Sequence, residues 1–308
     1  MPEGGASDEE PVDVPAYAMA SQLVRLGPVE RVEGLTPEWA WGGSTGRGVR
    51  VAVIDSGIDA DHPDLEGCVD EESGVALSMG DDGEVALTEG PHRDLFGHGT
   101  ACAGIIHAMA PEARLTSVRV LNPFGGGKAA VFLRGLQWAV EQRYDVINLS
   151  MGTGKPEWAL PFYELCDEAF HVGSLVVTAA NNLPTPSFPS MYGTVVSCAC
   201  HLGDDSWRVH YNPSPPPEFL ARGVGMEVPW RGGRRMTMTG NSFAAPHVSG
   251  LIALIRAKHP DLRPYQVKSA LWAATSNVLE APRVAPASLT RTLHLTRAGT
   301  ATRHLRRS

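Results

Sequence analysis

Five short segments of the chain are apolar runs rich in β-forming residues: residues 49–54, 114–121, 145–149, 174–178 and 194–198. Runs of this length without alternation predict strands covered on both faces. The stretches between them change period. Residues 128–142 set Val131, Leu136, Ala139 and Val140 on one side of a helix. Residues 157–172 carry Leu160, Cys166, Ala169 and Phe170 in a looser helical pattern. Strand, helix and strand in repetition predict an α/β fold with a mainly parallel central sheet and helices on both faces. The chain contains no internal repeat.

The ends read differently from the middle. Residues 1–15 are acidic and contain Pro and Gly, the composition of a disordered N-terminus. Residues 281–308 hold six arginines and no acid, which reads as a flexible basic tail. A single domain over residues 16–280 is expected between them, with residues 213–217 (Pro-Ser-Pro-Pro-Pro) as a stiff surface excursion.

Composition narrows the classes of function. A chain of 308 residues, 43% hydrophobic, can bury a sizeable core. A formal net charge of −8 argues against binding nucleic acid through bulk positive charge. No apolar run reaches the roughly eighteen residues that a membrane helix needs. Residues 1–24 carry Glu3, Asp8, Glu9, Glu10 and Asp13 and no Lys or Arg, unlike the basic start of a secretory signal. Five scattered cysteines suit reduced thiols better than a disulfide framework. These features predict a cytoplasmic protein with neither a membrane nor a nucleic acid as partner.

Three segments carry chemistry. In residues 51–59 (Val-Ala-Val-Ile-Asp-Ser-Gly-Ile-Asp) a buried strand ends in Asp55, where α/β folds place their sites. In residues 97–104 (Gly-His-Gly-Thr-Ala-Cys-Ala-Gly) His98 stands at an expected helix start. In residues 240–250 (Gly-Asn-Ser-Phe-Ala-Ala-Pro-His-Val-Ser-Gly) Ser242 opens an apolar helix, whose free N–H groups favour developing negative charge. Singly, these are a helix cap, a structural histidine and an N-cap serine. A fourth strand ends in Ala179-Ala180-Asn181-Asn182 and adds a side-chain amide. Together they supply what serine nucleophilic catalysis needs: a hydroxyl, a base, a carboxylate to orient the base, and donors for an oxyanion.

On these residues the chain resembles the subtilisin-like serine proteases, the subtilases. The order Asp, His, Ser is that of subtilisin; α/β-hydrolases run Ser, Asp, His and use a Gly-x-Ser-x-Gly elbow, which residues 240–244 do not form. The likeness spans roughly residues 36–275 and includes Gly46-Arg47-Gly48-Val49, His62-Pro63-Asp64-Leu65 and Val146-Ile147-Asn148-Leu149-Ser150-Met151-Gly152. It implies a subtilisin-like three-layer fold. It also implies Ser242 as nucleophile, His98 as general base, Asp55 as the carboxylate behind it, and Asn182 with the Ser242 N–H as oxyanion donors. A substrate peptide would lie between Gly125-Gly126 and Ser150-Met151-Gly152. Its P1 side chain would sit between Ser150–Gly152 and Ala179–Asn181, against Ala180.

The sequence departs from the family pattern near the chemistry. Asn181 replaces a glycine of the P1 wall, and could itself be the oxyanion donor; Asn182 is favoured because it keeps the spacing after Ala179-Ala180. Asn241 stands where a threonine usually precedes the nucleophile. Cys102, one turn after His98, reads as a small buried residue or as a thiol that modulates the base. The family often binds structural calcium, but neither Asp59, Asp61, Asp64 and His62 nor Cys198, Cys200 and His201 specify a site, so no metal or cofactor is expected. Arg231, Arg234 and Arg235 read as a solvated hairpin. Secreted subtilases carry a signal and a folding prodomain. Here 54 residues precede Asp55, some of them already resembling the catalytic domain (residues 37–41), so unaided folding or help from another chain is expected. The expected function is an intracellular endopeptidase of limited specificity, such as one that processes a precursor or leader peptide. General protein turnover and a silent peptide-binding scaffold are its rivals.

Overall fold

In the computed structural model, residues 34–279 are described, apart from Glu66 and Pro184. The short helix α1 (Pro37–Ala40) precedes the central strand β1 (Arg50–Asp55). Then follow β2 (Val75–Met79), β3 (Val85–Glu89), α2 (His98–Met109), β4 (Arg114–Arg119), α3 (Ala129–Glu141) and β5 (Val146–Leu149). The chain continues through α4 (Ala159–Val172), β6 (Leu175–Ala179), β7 (Val196–His201), β8 (His210–Tyr211), β9 (Phe219–Arg222) and the hairpin β10 (Met226–Trp230) with β11 (Arg234–Met238). It ends in α5 (Asn241–Lys258), α6 (Pro264–Ala273) and α7 (Ser276–Leu279).

Among the described residues nine strands form one sheet in the order β3-β2-β4-β1-β5-β6-β7-β9-β8. The seven inner strands are parallel; β3 and β8 pair antiparallel at the edges. The parallel register runs directly across the centre, with Asp55 opposite Arg119 of β4 and Ile54 opposite Leu149 of β5. The chain builds the half of the sheet that holds β2, β3 and β4 first and then the half from β5 to β9, so the carboxyl end of β1 is the topological switch point.

Alternation along β1 sorts its side chains into two cores. Val51 and Val53 join the cluster formed with α2 and α5, including Cys102, Ile106, Val248 and Leu251. Ala52 and Ile54 join the cluster formed with α3 and α4, including Leu136, Phe162 and Ala169. Because successive side chains on a strand alternate faces, Asp55 falls on the same side as Val51 and Val53, toward α2. Helices on both faces make this a three-layer α/β fold, as the strand and helix pattern predicts. No helix of the described residues is long and apolar enough to cross a membrane.

The main elements lie within a few residues of their expected places, with physical reasons for the shifts. Pro156 opens a 3-10 turn over Pro156–Trp158, so α4 starts later than residue 157. It stops at Gly173, whose φ of 100° supplies the left-handed cap that ends helices. The strand expected at 194–198 is shifted to Val196–His201, since β9 pairs with it through His201. The acidic segment 1–15 and the basic segment 281–308 lie outside the described residues.

Candidate active site

The site begins where β1 ends. Asp55 is fully buried and its Oδ1 accepts the N–H of Ser56 at 2.8 Å. His98 is the first residue of α2, and its ring Nδ1 lies 2.8 Å from Asp55 Oδ2 and 3.0 Å from Oδ1. A carboxylate can only accept, so the Nδ1 hydrogen points at Asp55 and Nε2 is left as an acceptor. The Ser242 hydroxyl lies 2.9 Å from that Nε2 and donates to it. Burial opposes charge on the imidazole, but the Asp55 carboxylate and the Cys102 sulfur beside it together outweigh it and hold the His98 pKa well above its usual 6.5. Phe243 covers the ring from one side at a centroid distance of 5.0 Å.

The entry into α2 is tightly specified. Gly97 precedes His98 with φ of 124°, and a Cβ there would lie 2.2 Å from Trp230. No side chain at Gly97 caps the helix; the buried carboxylate of Asp94 does so from outside. Its Oδ1 accepts from Ser56 Oγ at 2.8 Å, Phe96 N at 2.9 Å and Gly97 N at 2.7 Å. Its Oδ2 accepts from Thr100 N at 3.0 Å and Thr100 Oγ1 at 2.6 Å. Ser56 Oγ in turn accepts from Gly99 N at 3.0 Å. Asp94 therefore joins the end of β1 to the first turn of α2. Sequence reasoning missed it; an acid a few residues before a glycine-flanked helix start was the available signal.

Ser242 is the second residue of α5, with Gly240 at the cap and no side-chain capping bond. Pro246 inside this helix has no N–H, so the carbonyl of Ser242, four residues earlier, lacks its helical partner. The Cys102 thiol lies 3.8 Å from that carbonyl, 3.7 Å from His98 Nδ1 and Asp55 Oδ2, and 3.6 Å from Ser150 Oγ. Burial raises the Cys102 pKa, so the thiol stays protonated. It is a fully buried packing residue in contact with all three elements of the site.

Asn182 and Asn181 separate cleanly. Asn182 Oδ1 accepts the backbone N–H of Asn241 at 2.8 Å. A Cβ built on Gly240 would be 3.3 Å from Ser242 Oγ and 3.6 Å from Asn182 Nδ2, so both groups flank one glycine. Asn181 instead bends back on its own loop, donating to Thr185 Oγ1 at 2.8 Å and accepting from Leu183 N at 3.2 Å. The Asn241 side chain turns toward the sheet. Its Nδ2 donates to the carbonyls of Asn181 at 3.0 Å and Ala180 at 3.3 Å, and its Oδ1 accepts from Cys200 N at 2.9 Å and Cys200 Sγ at 3.1 Å. A threonine has no such reach, and this use of Asn241 was not legible from the substitution alone.

Beside Ser242 lies a cavity of about 170 Å³ lined by Ser150, Met151, Gly152, Gly154, Ala179, Ala180, Asn181, Asn182 and Ser187. Gly125 and Gly126 are not among its walls. They form a turn after β4, where Asn122 Oδ1 accepts from Phe124 N and Gly126 N, and Gly125 rests against Phe96 two residues before His98. Behind the cavity a buried polar chain links α5 to β5: Ser249 Oγ donates to Asn148 Oδ1, and Asn148 Nδ2 donates to Ser150 Oγ, each at 2.9 Å.

Two of the acids near His62 are engaged by protein donors. Asp64 pairs with Arg235 at 2.8 Å, and Asp59 Oδ2 accepts the N–H of Gly232 at 2.6 Å. Asp55, His98 and Cys102 are the one grouping among the described residues with metal-ligand spacing, and they belong to the arrangement just described. The arginine hairpin is tied down rather than merely solvated: besides the Asp64 pair, Arg231 Nε donates to the Phe96 carbonyl at 3.1 Å.

The model of the subtilase family matches residues 46–293. An intracellular serine protease of Paenibacillus polymyxa is 32% identical over 265 residues, covering 80% of this chain and 79% of its own length. Subtilisin E of Bacillus subtilis is 32% identical over 244 residues; the match covers 74% of this chain but 61% of that protein. Subtilisin of Bacillus pumilus is also 32% identical, with 84% of its length covered. A crystal structure of a cold adapted subtilisin-like serine proteinase shares the fold, with a TM-score of 0.61 at 24% identity over 77% of this chain and 87% of that one.

Proposed function

The chain belongs to the subtilase family of serine proteases, and from that premise we propose that it is an intracellular endopeptidase of restricted specificity whose nucleophile is Ser242. The observation that carries the reading is the position of His98, hydrogen-bonded to Asp55 at 2.8 Å on one side and to Ser242 at 2.9 Å on the other.

The chemistry follows from the donors and acceptors. Ser242 Oγ attacks the scissile carbonyl while its proton passes to His98 Nε2, and Asp55 stabilises the imidazolium that forms. The oxyanion is received by Asn182 Nδ2 and the backbone N–H of Ser242 at the start of α5. Collapse of the tetrahedral species breaks the C–N bond, and the leaving amine takes the proton from His98. Water, deprotonated by the same imidazole, then hydrolyses the acyl-enzyme. The substrate lies as an added strand between the Gly125-Gly126 turn and Ser150-Met151-Gly152, with P1 in the cavity bounded by Ala180 and Asn181.

Two observations support restricted processing over general turnover. The cavity is small and its walls are polar, which limits the side chains it accepts. A similar protein is described as an intracellular serine protease, and a protease working among the cell's own proteins requires a narrow choice of substrate. Precursor or leader peptides fit that requirement. A fluorophosphonate probe with intact-mass detection tests the assignment. One adduct on the protein, absent in Ser242→Ala, is the expected result. A folded protein that takes no adduct would favour a peptide-binding scaffold or a site completed by a partner chain.

A further inference from the structure

We propose that the cavity beside Ser242 selects an uncharged P1 side chain that donates a hydrogen bond, of the glutamine type, and that Ser187 is the residue that reads it. The proposal rests on the assignment of Ser242 as nucleophile.

The first step is charge. None of the residues lining the cavity is ionisable at neutral pH: they are serines, asparagines, alanines, glycines and Met151. A lysine, arginine or glutamate at P1 would leave water without a counter-charge, which is strongly unfavourable. The volume, about 170 Å³, is well below the roughly 300–1,000 Å³ of sites for drug-sized ligands and suits one side chain.

The second step is an account of hydroxyl hydrogens. Ser190 Oγ donates its one hydrogen to the carbonyl of Ser187 at 2.8 Å. The two hydroxyls, Ser187 Oγ and Ser190 Oγ, are 3.1 Å apart. With the Ser190 hydrogen already used, Ser187 is the donor in that contact. Ser187 therefore has no hydrogen left for a ligand and keeps lone pairs to accept with. Ser187 lines the cavity, and a Cβ built on Gly152, another wall residue, would lie 3.5 Å from its Oγ. The residue is 6% exposed, so its lone pairs see a P1 side chain rather than bulk water.

The third step is what the neighbours withhold. Asn181, the replacement in this wall, spends its amide on Thr185 and Leu183. Ser150 Oγ already accepts from Asn148 Nδ2 and the Cys102 thiol, and Asn182 Oδ1 from Asn241 N, so among the wall side chains Ser187 Oγ is the acceptor left for a P1 donor. Methionine matches glutamine in length and shape but has no hydrogen to give, and it would leave the Ser187 acceptor dry.

The test is a series of fluorogenic peptides differing only at P1 (glutamine, methionine, leucine, lysine, glutamate), assayed on the full chain after titration with a fluorophosphonate. The expected kcat/KM for glutamine exceeds that for methionine about fivefold, with lysine and glutamate below both. In Ser187→Ala the glutamine-to-methionine ratio falls to about one. Labelled wild-type protein that favours methionine, leucine or a charged P1 over glutamine overturns the proposal, and this profile decides the point even if the variant does not fold. An unchanged ratio in a folded Ser187→Ala overturns it as well. Wild-type protein that takes no label overturns the assignment of Ser242 instead.

Discussion

The side-chain oxygen of Asn182 accepts the backbone N–H of Asn241 at 2.8 Å, and this bond decides which end of the Asn182 amide faces Ser242. With Oδ1 held by an N–H, Nδ2 is the end presented to the reacting centre. Asn182→Ala is expected to lower kcat by about 10²–10³-fold, equivalent to about 3–4 kcal/mol, with KM changed far less. Asn182→Asp keeps the acceptor and loses the donor, so it should be no better. Steady-state kinetics on a peptide substrate separate kcat from KM and check both.

Asn241 acts on the same group at one remove. Its amide clamps the carbonyls of Ala180 and Asn181 and the N–H of Cys200, fixing the end of β6 from which Asn182 projects. Asn241→Ala leaves the backbone N–H to Asn182 in place but frees that strand end. The expected result is a fall in kcat of about tenfold with little change in KM, since about 1–1.5 kcal/mol of positioning is removed. An equal rise in KM would place the residue in substrate binding instead.

The contrast between these two asparagines shows what was legible in the chain. The strands ending at Asp55 and near Asn182, and the helices starting near His98 and Ser242, follow from apolar runs broken by glycine, and the layers follow from their alternation. The spacing of Asn182 after Ala179-Ala180 likewise identified the amide that lies by Ser242. What could not be read are contacts made by side chains distant in sequence. Asn241 meets Cys200 and Asn181 across loops, Asp94 joins β1 to α2, and the Ser187–Ser190 pair depends on the fold of a turn. The outer strands β2, β3, β8 and β9, two toward each edge of the sheet, and the hairpin β10–β11 carry mixed polar and apolar residues, so periodicity alone does not reveal them.

Two histidines give opposite pH trends. His98 must be neutral to accept a proton, and its pKa is raised, so kcat/KM should rise with a midpoint above 6.5 on the acid limb. The same raised pKa means that His98 contributes stability below its unfolded value near 6.5, lost as pH climbs through the folded value. His247, buried on α5 with Nδ1 donating to the Phe243 carbonyl at 2.9 Å, is pushed down to about 4 by burial. Its contribution is present above about 6.5 and is lost as pH falls toward 4. Activity and thermal unfolding followed from pH 4 to 9 should show the acid loss of stability reduced in His247→Gln. The acid limb of kcat/KM should shift downward in Asp55→Asn, whatever the residual rate.

Asp94 offers the sharpest separation of fold from catalysis. Five donors converge on its buried carboxylate, three on Oδ1 and two on Oδ2. Asp94→Ala strands all five, and each buried donor left unpaired costs on the order of 1–3 kcal/mol. Relaxation and water entry offset part of that sum, so a loss of about 3–5 kcal/mol is expected, enough to lower the unfolding midpoint clearly. Asp94→Asn is the more informative variant because it keeps the shape. An amide has one acceptor end and one donor end, so its oxygen can serve either the Ser56, Phe96 and Gly97 cluster or the Thr100 pair, not both. The larger set should win, leaving an N–H group facing the two donors of Thr100. The first turn of α2 must then shift, and His98 sits in that turn. The expected outcome is a smaller stability loss than in the alanine variant, together with a fall in kcat of about tenfold or more that persists at temperatures where the protein is fully folded. Full activity in a destabilised Asp94→Asn would show that the cap holds the helix without setting the position of His98.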